Sequence, residues 1–139
     1  MEIKVIKEVA AVADFLRLRI VSGLTPRPEA AAKKALPNSL FAVHLIIDEK
    51  TVAMGRVVGD GALNFEVVDV AVDPQYQGKG LGRIVMQNIM LYLEQTAVKG
   101  AYITLLADVP ELYKKFGFVL SRPACEGMHW QPKASTMAE

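Results

Sequence analysis

The order of apolar and polar positions divides the first part of the chain into a strand and two helices. Residues 2–7 alternate in polarity, which predicts a strand. Apolar residues recur at helical spacing over residues 8–22, so this stretch predicts a helix. Pro26 and Pro28 then interrupt the chain, and Pro28 begins a predicted short, Ala-rich helix that ends near residues 36–37.

The next part of the chain predicts a meander of three strands. Residues 41–47 and 52–58 are rich in branched apolar side chains, and a polar Asp-Glu-Lys turn joins them. A Gly-Asp-Gly turn at residues 59–61 leads into the third predicted strand, over residues 63–72. Pro74 ends that strand, because proline has no amide hydrogen to donate to a strand ladder.

Beyond this strand the apolar spacing changes to that of a long helix. Residues 80–98 predict a well-buried helix that ends at a Lys-Gly pair. Residues 102–106 predict a buried strand, and residues 110–116 predict a short helix that starts at a proline. Extended structure is expected again over residues 118–120 and, as the last strand, over residues 128–131.

Together these elements predict one α+β domain over residues 1–139, with helices against the faces of a mixed sheet. The hydrophobic and charged fractions, 52% and 22%, are typical of a folded globular domain and exclude a disordered chain. The tail from about residue 132 has one large apolar side chain, Met137, and is expected to be flexible.

Charge and cysteine content narrow the range of partners. The chain has 16 Lys and Arg against 15 Asp and Glu, and a net charge of +1 gives no general attraction to nucleic acid or to a membrane surface. Its single cysteine, Cys125, excludes an intrachain disulfide and a Cys-rich zinc site. The N-terminus lacks the apolar core of a secretory signal, and no run has membrane-spanning length. We therefore expect a cytoplasmic protein without nucleic-acid or membrane partners.

The segment Gln-Gly-Lys-Gly-Leu-Gly at residues 77–82 joins a strand to the longest predicted helix. The first amides of a helix lack intrahelical partners, and the helix dipole adds about half a positive charge there. Glycines let the backbone approach a phosphate without obstruction by Cβ. The segment therefore predicts a diphosphate site, with Lys79 and Arg83 as cationic contacts at its rim.

The spacing of this segment excludes two better-known phosphate motifs. A nucleoside-triphosphate loop needs Ser or Thr after its lysine, but Gly80 follows Lys79. The dinucleotide fingerprint needs G-x-G-x-x-G, whereas residues 78–82 have the spacing G-x-G-x-G.

Three motifs in this order resemble those of the GNAT acetyltransferases. Gln77, Gly80 and Gly82 match the family pattern of Arg or Gln, two residues, Gly, one residue, and Gly or Ala. Val-Ala-Val-Asp-Pro at residues 70–74 looks like the strand that precedes that loop, and Tyr-Lys-Lys-Phe-Gly-Phe at residues 113–118 looks like the Tyr-x-x-x-Gly-Phe motif. The resemblance extends from the first meander strand through the last of these motifs.

The resemblance implies the acyl-CoA N-acyltransferase (GNAT) fold, with a mixed, mostly antiparallel central sheet flanked by helices. It also implies that the strand ending at Val72 binds the pantetheine arm of acetyl-CoA and that the loop holds the pyrophosphate. Gln77 departs from the more frequent Arg, so a hydrogen-bond donor is kept and a charge is lost. The implied cofactor-binding residues are Val70, Ala71, Val72, Gln77, Gly78, Lys79, Gly80, Leu81, Gly82, Arg83 and Tyr113.

Acetyl transfer to an amine needs a base that accepts a proton and an acid that helps the thiolate to leave. Tyr113 matches the family tyrosine beside the cofactor sulfur, although a tyrosine here would also pack well on the sheet. Glu66 is the predicted base, because strand alternation places it on one face with Val68, Val70 and Val72. Asp69, expected on the opposite face, and a water relay are the alternatives for this role.

For most of the other polar residues, and for the single cysteine, no catalytic role is predicted. His44 and His129 lack metal-ligand spacing and are expected to pack in the domain or at an edge, so no metal site is predicted. Cys125 has no activating partner in the sequence and is expected to be inert. Asp108 lies where many relatives have an Asn near the cofactor, but the loop is shorter here, so that role is not carried over to Asp108. Lone arginines are usually solvated, which is the expectation for Arg17, Arg19 and Arg56.

The predicted function is transfer of an acetyl group from acetyl-CoA to a primary amine of a small molecule, within a ternary complex. Two alternatives stay open: a non-catalytic acyl-CoA-binding sensor or partner module, and an acetyltransferase for lysines of proteins or peptides. The acceptor is not identified, because residues 1–40 match the family only in outline. A homodimer is also left open, with Trp130 as a core or dimer contact.

Overall fold

Five strands form one sheet in the computed structural model, which describes residues 1–132. Strands β1–β4 pair antiparallel with their neighbours, and β4 and β5 pair parallel, in the spatial order β1-β2-β3-β4-β5. The helix between β4 and β5 makes this crossover. The strands are β1 (Lys4–Ile6), β2 (Phe41–Ile47), β3 (Lys50–Gly59), β4 (Asn64–Val72) and β5 (Tyr102–Leu105).

The helices lie where the apolar spacing predicts them. They are α1 (Val12–Val21), α2 (Glu29–Ala35), α3 (Leu81–Thr96) and α4 (Pro110–Lys114), with short 3-10 turns at Leu36–Asn38 and Pro74–Tyr76. The predicted α+β class and the mixed, mostly antiparallel sheet are confirmed.

Each face of the sheet carries its own apolar core. The buried side of α3, which includes Val85 and Ile89, packs against Val57 and Phe65 of the sheet. Phe15 and Leu18 of α1 pack with Ala32 of α2, Met54 and Ala71 on the opposite face. The alternation of side chains along β3 and β4 therefore supplies both cores.

A β-bulge interrupts β4. Met54 pairs with Ala71 and Arg56 with Val68, so Gly55 lies opposite two residues, Asp69 and Val70. Asp69 adopts a positive φ of 59°.

The bulge reverses the facing of the second half of the strand. Val70 and Val72 pack with α3, while Ala71 packs on the α1 side. Phe65 and Val67 also belong to the α3 core, which places Glu66 on the α1 face. The prediction that Glu66, Val68, Val70 and Val72 share one face, opposite Asp69, is therefore wrong beyond Val68.

The last two predicted strands do not form. Residues 118–120 and 128–131 have no helix or strand assignment, and Trp130 and Met128 are 81% and 91% exposed. A short apolar run forms a strand only with a hydrogen-bonded partner, and within residues 1–132 these runs have none. Trp130 is thus not a core residue. The predicted flexible tail covers residues 133–139, which lie outside the described residues.

Candidate active site

A cavity of about 700 Å³ opens at the carboxyl ends of β4 and β5, between the start of α3 and α4. Every predicted cofactor-binding residue lines it except Lys79, whose side chain is exposed. The lining residues are Ser22, Leu24, Val70, Ala71, Val72, Gln77, Gly78, Gly80, Leu81, Gly82, Arg83, Gln87, Asp108, Val109, Leu112, Tyr113, Lys115 and Phe116.

One wall of the cavity is the end of β4. The pairing of β4 with β5 stops at Val67 and Leu105, although β4 continues to Val72. Five residues of β4 therefore have no strand partner on their β5 side. Peptide groups along such an edge are free to bond an extended ligand.

The loop from Gln77 to α3 forms the second wall. Gly78 and Gly80 have φ values of 81° and 80°, and a Cβ added at either would meet no protein atom within 4 Å. The first hydrogen bond of α3 runs from the Ile84 amide to the Gly80 carbonyl, at 3.1 Å. The amides of the first turn therefore have no intrahelical acceptor, and the glycines leave space in front of them. This cradle fits a diphosphate.

Gln77 contacts the end of the strand. Its Nε2 donates to the Val72 carbonyl at 3.3 Å. The side chain thereby ties the loop to β4, which an Arg at this place would do with an added charge.

Tyr113 lies between the cavity and the core of the domain. Its ring is buried against Phe118, with ring centroids 6.4 Å apart. Its hydroxyl has no hydrogen bond to another described residue, yet it is not among the buried unpaired atoms of residues 1–132. The hydroxyl therefore keeps access to solvent, and Tyr113 lines both this cavity and a second pocket beside β5. Burial, and secondly the charge of Asp108, raise the pKa of Tyr113 above its ordinary value, so the phenol stays protonated at neutral pH.

The sequence profile described as Acetyltransferase (GNAT) domain matches residues 39–120. The chain belongs to the GNAT acetyltransferase family. It is 40% identical to the Staphylococcus aureus protein SA2161, described as a probable acetyltransferase, whose crystal structure superposes with a TM-score of 0.90 over 94% of this chain and 100% of that one.

Curated relatives of the chain are longer proteins. The uncharacterized N-acetyltransferase ycf52 of Pyropia yezoensis is 35% identical over 80% of this chain and 66% of its own length. The soybean histone acetyltransferase TAP1 is 33% identical over 79% of this chain and 52% of its own length. The chain thus spans about half to two thirds of these relatives.

Neither carboxylate predicted as the base lines the cavity of this GNAT domain. Glu66 is partly buried in β4, opposite Val58. Asp69 is buried in an ion cluster on the α1 face, where its two oxygens accept hydrogen bonds from Arg19 Nη1 at 2.5 Å and Arg56 Nε at 2.6 Å. The structure therefore brings Tyr113 to the cavity and leaves both acids outside its lining.

The ion cluster corrects the expectation that the lone arginines are solvated. Arg19 is 4% exposed and also donates to the Thr25 carbonyl at 2.8 Å. Burial lowers the pKa of Arg19, while the charge of Asp69 opposes that shift. Arg56 donates to Ser39 Oγ at 3.1 Å, so the cluster connects α1, β3, β4 and the segment after α2. The charged residues gave no periodic signal from which this pairing could be predicted.

The other predicted structural residues lie away from the cavity. His44 is buried, with Nδ1 2.7 Å from the Glu8 carbonyl, as expected for a packed histidine. Cys125 is exposed, and so is His129, which lies outside any strand; the expectation that His129 packs in the domain or at an edge is therefore wrong. Within residues 1–132, no cluster of side chains suits a metal ion, and no helix has the length and apolarity needed to cross a membrane.

Several residues that line the cavity were not predicted. Leu112 lies on α4 and Phe116 follows the end of that helix by two residues, within the stretch 110–116 whose sequence predicts a helix. Their helical periodicity is the signal that could have found them. Ser22 and Leu24 follow α1 and carry no signal of their own.

Replacement of Gly80 by valine tests the diphosphate cradle. The new side chain enters the open space before the helix amides, so we expect CoA affinity to fall roughly tenfold to a hundredfold, as for loss of one hydrogen bond to a charged group. Gly100→Val is the matched control, because Gly100 has a φ of 97° and equally open surroundings but does not line the cavity. Equal CoA affinity of the two variants in calorimetry would refute the cradle.

Proposed function

We propose that the chain transfers an acetyl group from acetyl-CoA to a primary amine of a small-molecule acceptor, by direct attack within a ternary complex. The observation that carries this proposal is that the unpaired edge of β4, the helix amides at the start of α3 and Tyr113 all line one cavity. An extended arm with a diphosphate at one end and a thioester at the other fits that arrangement.

Different residues of the cavity bind different parts of acetyl-CoA. The amides before and within the first turn of α3 hold the diphosphate, with Arg83 beside them. The free edge of residues 68–72 bonds the pantetheine amides, and a backbone amide there polarises the thioester carbonyl. Acetyl-CoA supplies an activated acetyl group whose C–S bond breaks when the amine nitrogen bonds to its carbonyl carbon.

The leaving sulfur must gain a proton, and the acceptor nitrogen must lose protons. Tyr113 donates its hydroxyl proton to the leaving sulfur, and its oxygen then takes up the proton that the amide nitrogen loses. The ammonium form of the acceptor must first lose a proton to become a nucleophile. Glu66 serves this step through water in our proposal, because its side chain does not line the cavity. Asp69 does not serve as the base, since both of its oxygens are bonded to arginines.

The cavity volume of about 700 Å³ lies within the usual range for small-molecule sites, and acetyl-CoA accounts for it in this proposal. The small acceptor is therefore a separate part of the proposal, which the products of the reaction test. Lysine acetylation of a protein is the second candidate, and the similarity to soybean TAP1, named a histone acetyltransferase, favours it. The cytoplasmic location and the homodimer stay predictions.

Release of free CoA thiol in the presence of a panel of amines tests the proposal. Amine-dependent release, with an acetylated small product in mass spectrometry, is the expected result. Acetyl-lysine on a protein substrate instead would favour the second candidate. CoA binding without any acceptor-dependent release would contradict both and favour a non-catalytic acyl-CoA-binding module.

A further inference from the structure

Asp108 is the carboxylate that lines the cavity among residues 1–132. It follows β5 by three residues, in the loop that leads to α4. The other charged residues of the lining are cations, Arg83 and Lys115. The cavity therefore contains one carboxylate, while its two cationic side chains are suited to bind phosphates.

The Asp108 carboxylate is available to a ligand. It makes no hydrogen bond or ion pair with any residue of the range 1–132, whereas Asp69 and Asp73 are both held by cations. Its side chain is exposed, and its charge acts on Tyr113 strongly enough to help raise the pKa of that phenol. Asp108 thus lies within electrostatic reach of the group that we assign to the leaving sulfur.

We propose that Asp108 binds the ammonium group of the acceptor, so that the acceptor class is amines that are cationic at neutral pH. The assignment rests on the proposed acetyl transfer and specifies its second substrate. A cation is attracted to the free carboxylate and repelled from Arg83 and Lys115, so Asp108 is the residue of the lining that it binds. Asp108 is a specificity-determining residue in this assignment, and the proton of the ammonium still leaves by way of water.

The variant Asp108→Asn keeps the size of the side chain and removes its charge. With 1,4-diaminobutane as acceptor, we expect its KM to rise about tenfold to a hundredfold, as for loss of a hydrogen bond to a charged group that the complex removes from water. The values of kcat and of the KM for acetyl-CoA should change far less. With an uncharged arylamine such as 4-methoxyaniline, whose nitrogen is neutral at pH 7, the KM should be unchanged. A purely structural role would alter both acceptors alike.

Glu111→Gln is the matched control. Glu111 lies on α4, is exposed and pairs with Lys114 at 3.4 Å, and it does not line the cavity. The Glu111→Gln variant also removes one negative charge near α4, but from a residue outside the cavity lining. Its KM for the diamine should therefore stay near the wild-type value.

Calorimetry of the diamine with the CoA-bound protein measures the same contact without turnover. If Asp108→Asn leaves the affinity for the diamine unchanged, or if its KM rises equally for the arylamine and the diamine, the assignment of Asp108 is wrong. Continued acetylation of the arylamine would show that the proposed acetyl transfer still stands. Loss of all amine-dependent CoA release in the wild-type protein would instead refute the proposed function and the assignment with it.

Discussion

Tyr113→Phe is expected to lower kcat about a hundredfold to ten-thousandfold, the range for loss of a general acid. The hydroxyl keeps access to solvent and makes no bond to another residue of the range 1–132, so its removal costs the fold little. The ring contact with Phe118 is kept. CoA affinity should therefore change far less than turnover, which calorimetry and steady-state kinetics measure separately.

The pH dependence gives this prediction a second readout. Burial raises the pKa of Tyr113, and the acid must be protonated to act. Wild-type kcat should thus persist at neutral pH and fall as the pH rises through the raised pKa of Tyr113, on the alkaline side of the ordinary phenol value. The Phe variant should lack this alkaline decline. Tyr92→Phe, whose ring stacks on Phe41 outside the cavity, is the control with unchanged kcat. If the kcat of Tyr113→Phe equalled that of the wild-type protein, Tyr113 would not be the general acid.

Asp69→Asn is expected to destabilise the domain by about 3 kcal/mol, which corresponds to a fall in Tm of roughly 10 °C. Asparagine keeps the volume of aspartate and tolerates the positive φ of 59° at this position. It removes the charge that compensates Arg19, whose side chain is 5% exposed. An unpaired buried cation is the cause of the expected loss.

An exposed ion pair supplies the control for Asp69→Asn. Asp14→Asn breaks the exposed pair with Arg17, whose side chains are 39% and 33% exposed, and should cost at most about 1 kcal/mol. Thermal unfolding measures both variants. An Asp69→Asn protein that keeps its Tm but loses turnover would contradict the structural role and restore Asp69 as the base.

Local sequence patterns predicted most of the fold. The helix α3 was found because its apolar residues recur every three to four positions, and β2 because branched apolar residues fill it between two polar turns. The glycine-rich loop at the start of α3 was predicted for a similar reason. Its glycines and the helix start are adjacent in sequence, so the chain displays them together.

Features that depend on distant partners were not predicted. The bulge at Asp69 arises where β4 pairs with Gly55, and the buried position of Arg19 depends on an aspartate 50 residues away. Residues 118–120 and 128–131 show the converse, since their local pattern suits a strand and no described strand pairs with them. Asp108 was named but not assigned, because its access to the cavity is set by how β5 and α4 meet.

The extra residue in β4 also governs which changes of length the strand can accept. Deleting Asp69 would restore a regular alternation in which both halves of β4 keep their present faces, because Val67 and Val70, which both pack with α3, would then lie two positions apart. The same deletion would leave Arg19 and Arg56 without the carboxylate that pairs with both of them. Loss of one residue at this point would therefore conserve the facing of the strand and cost the domain its buried ion cluster.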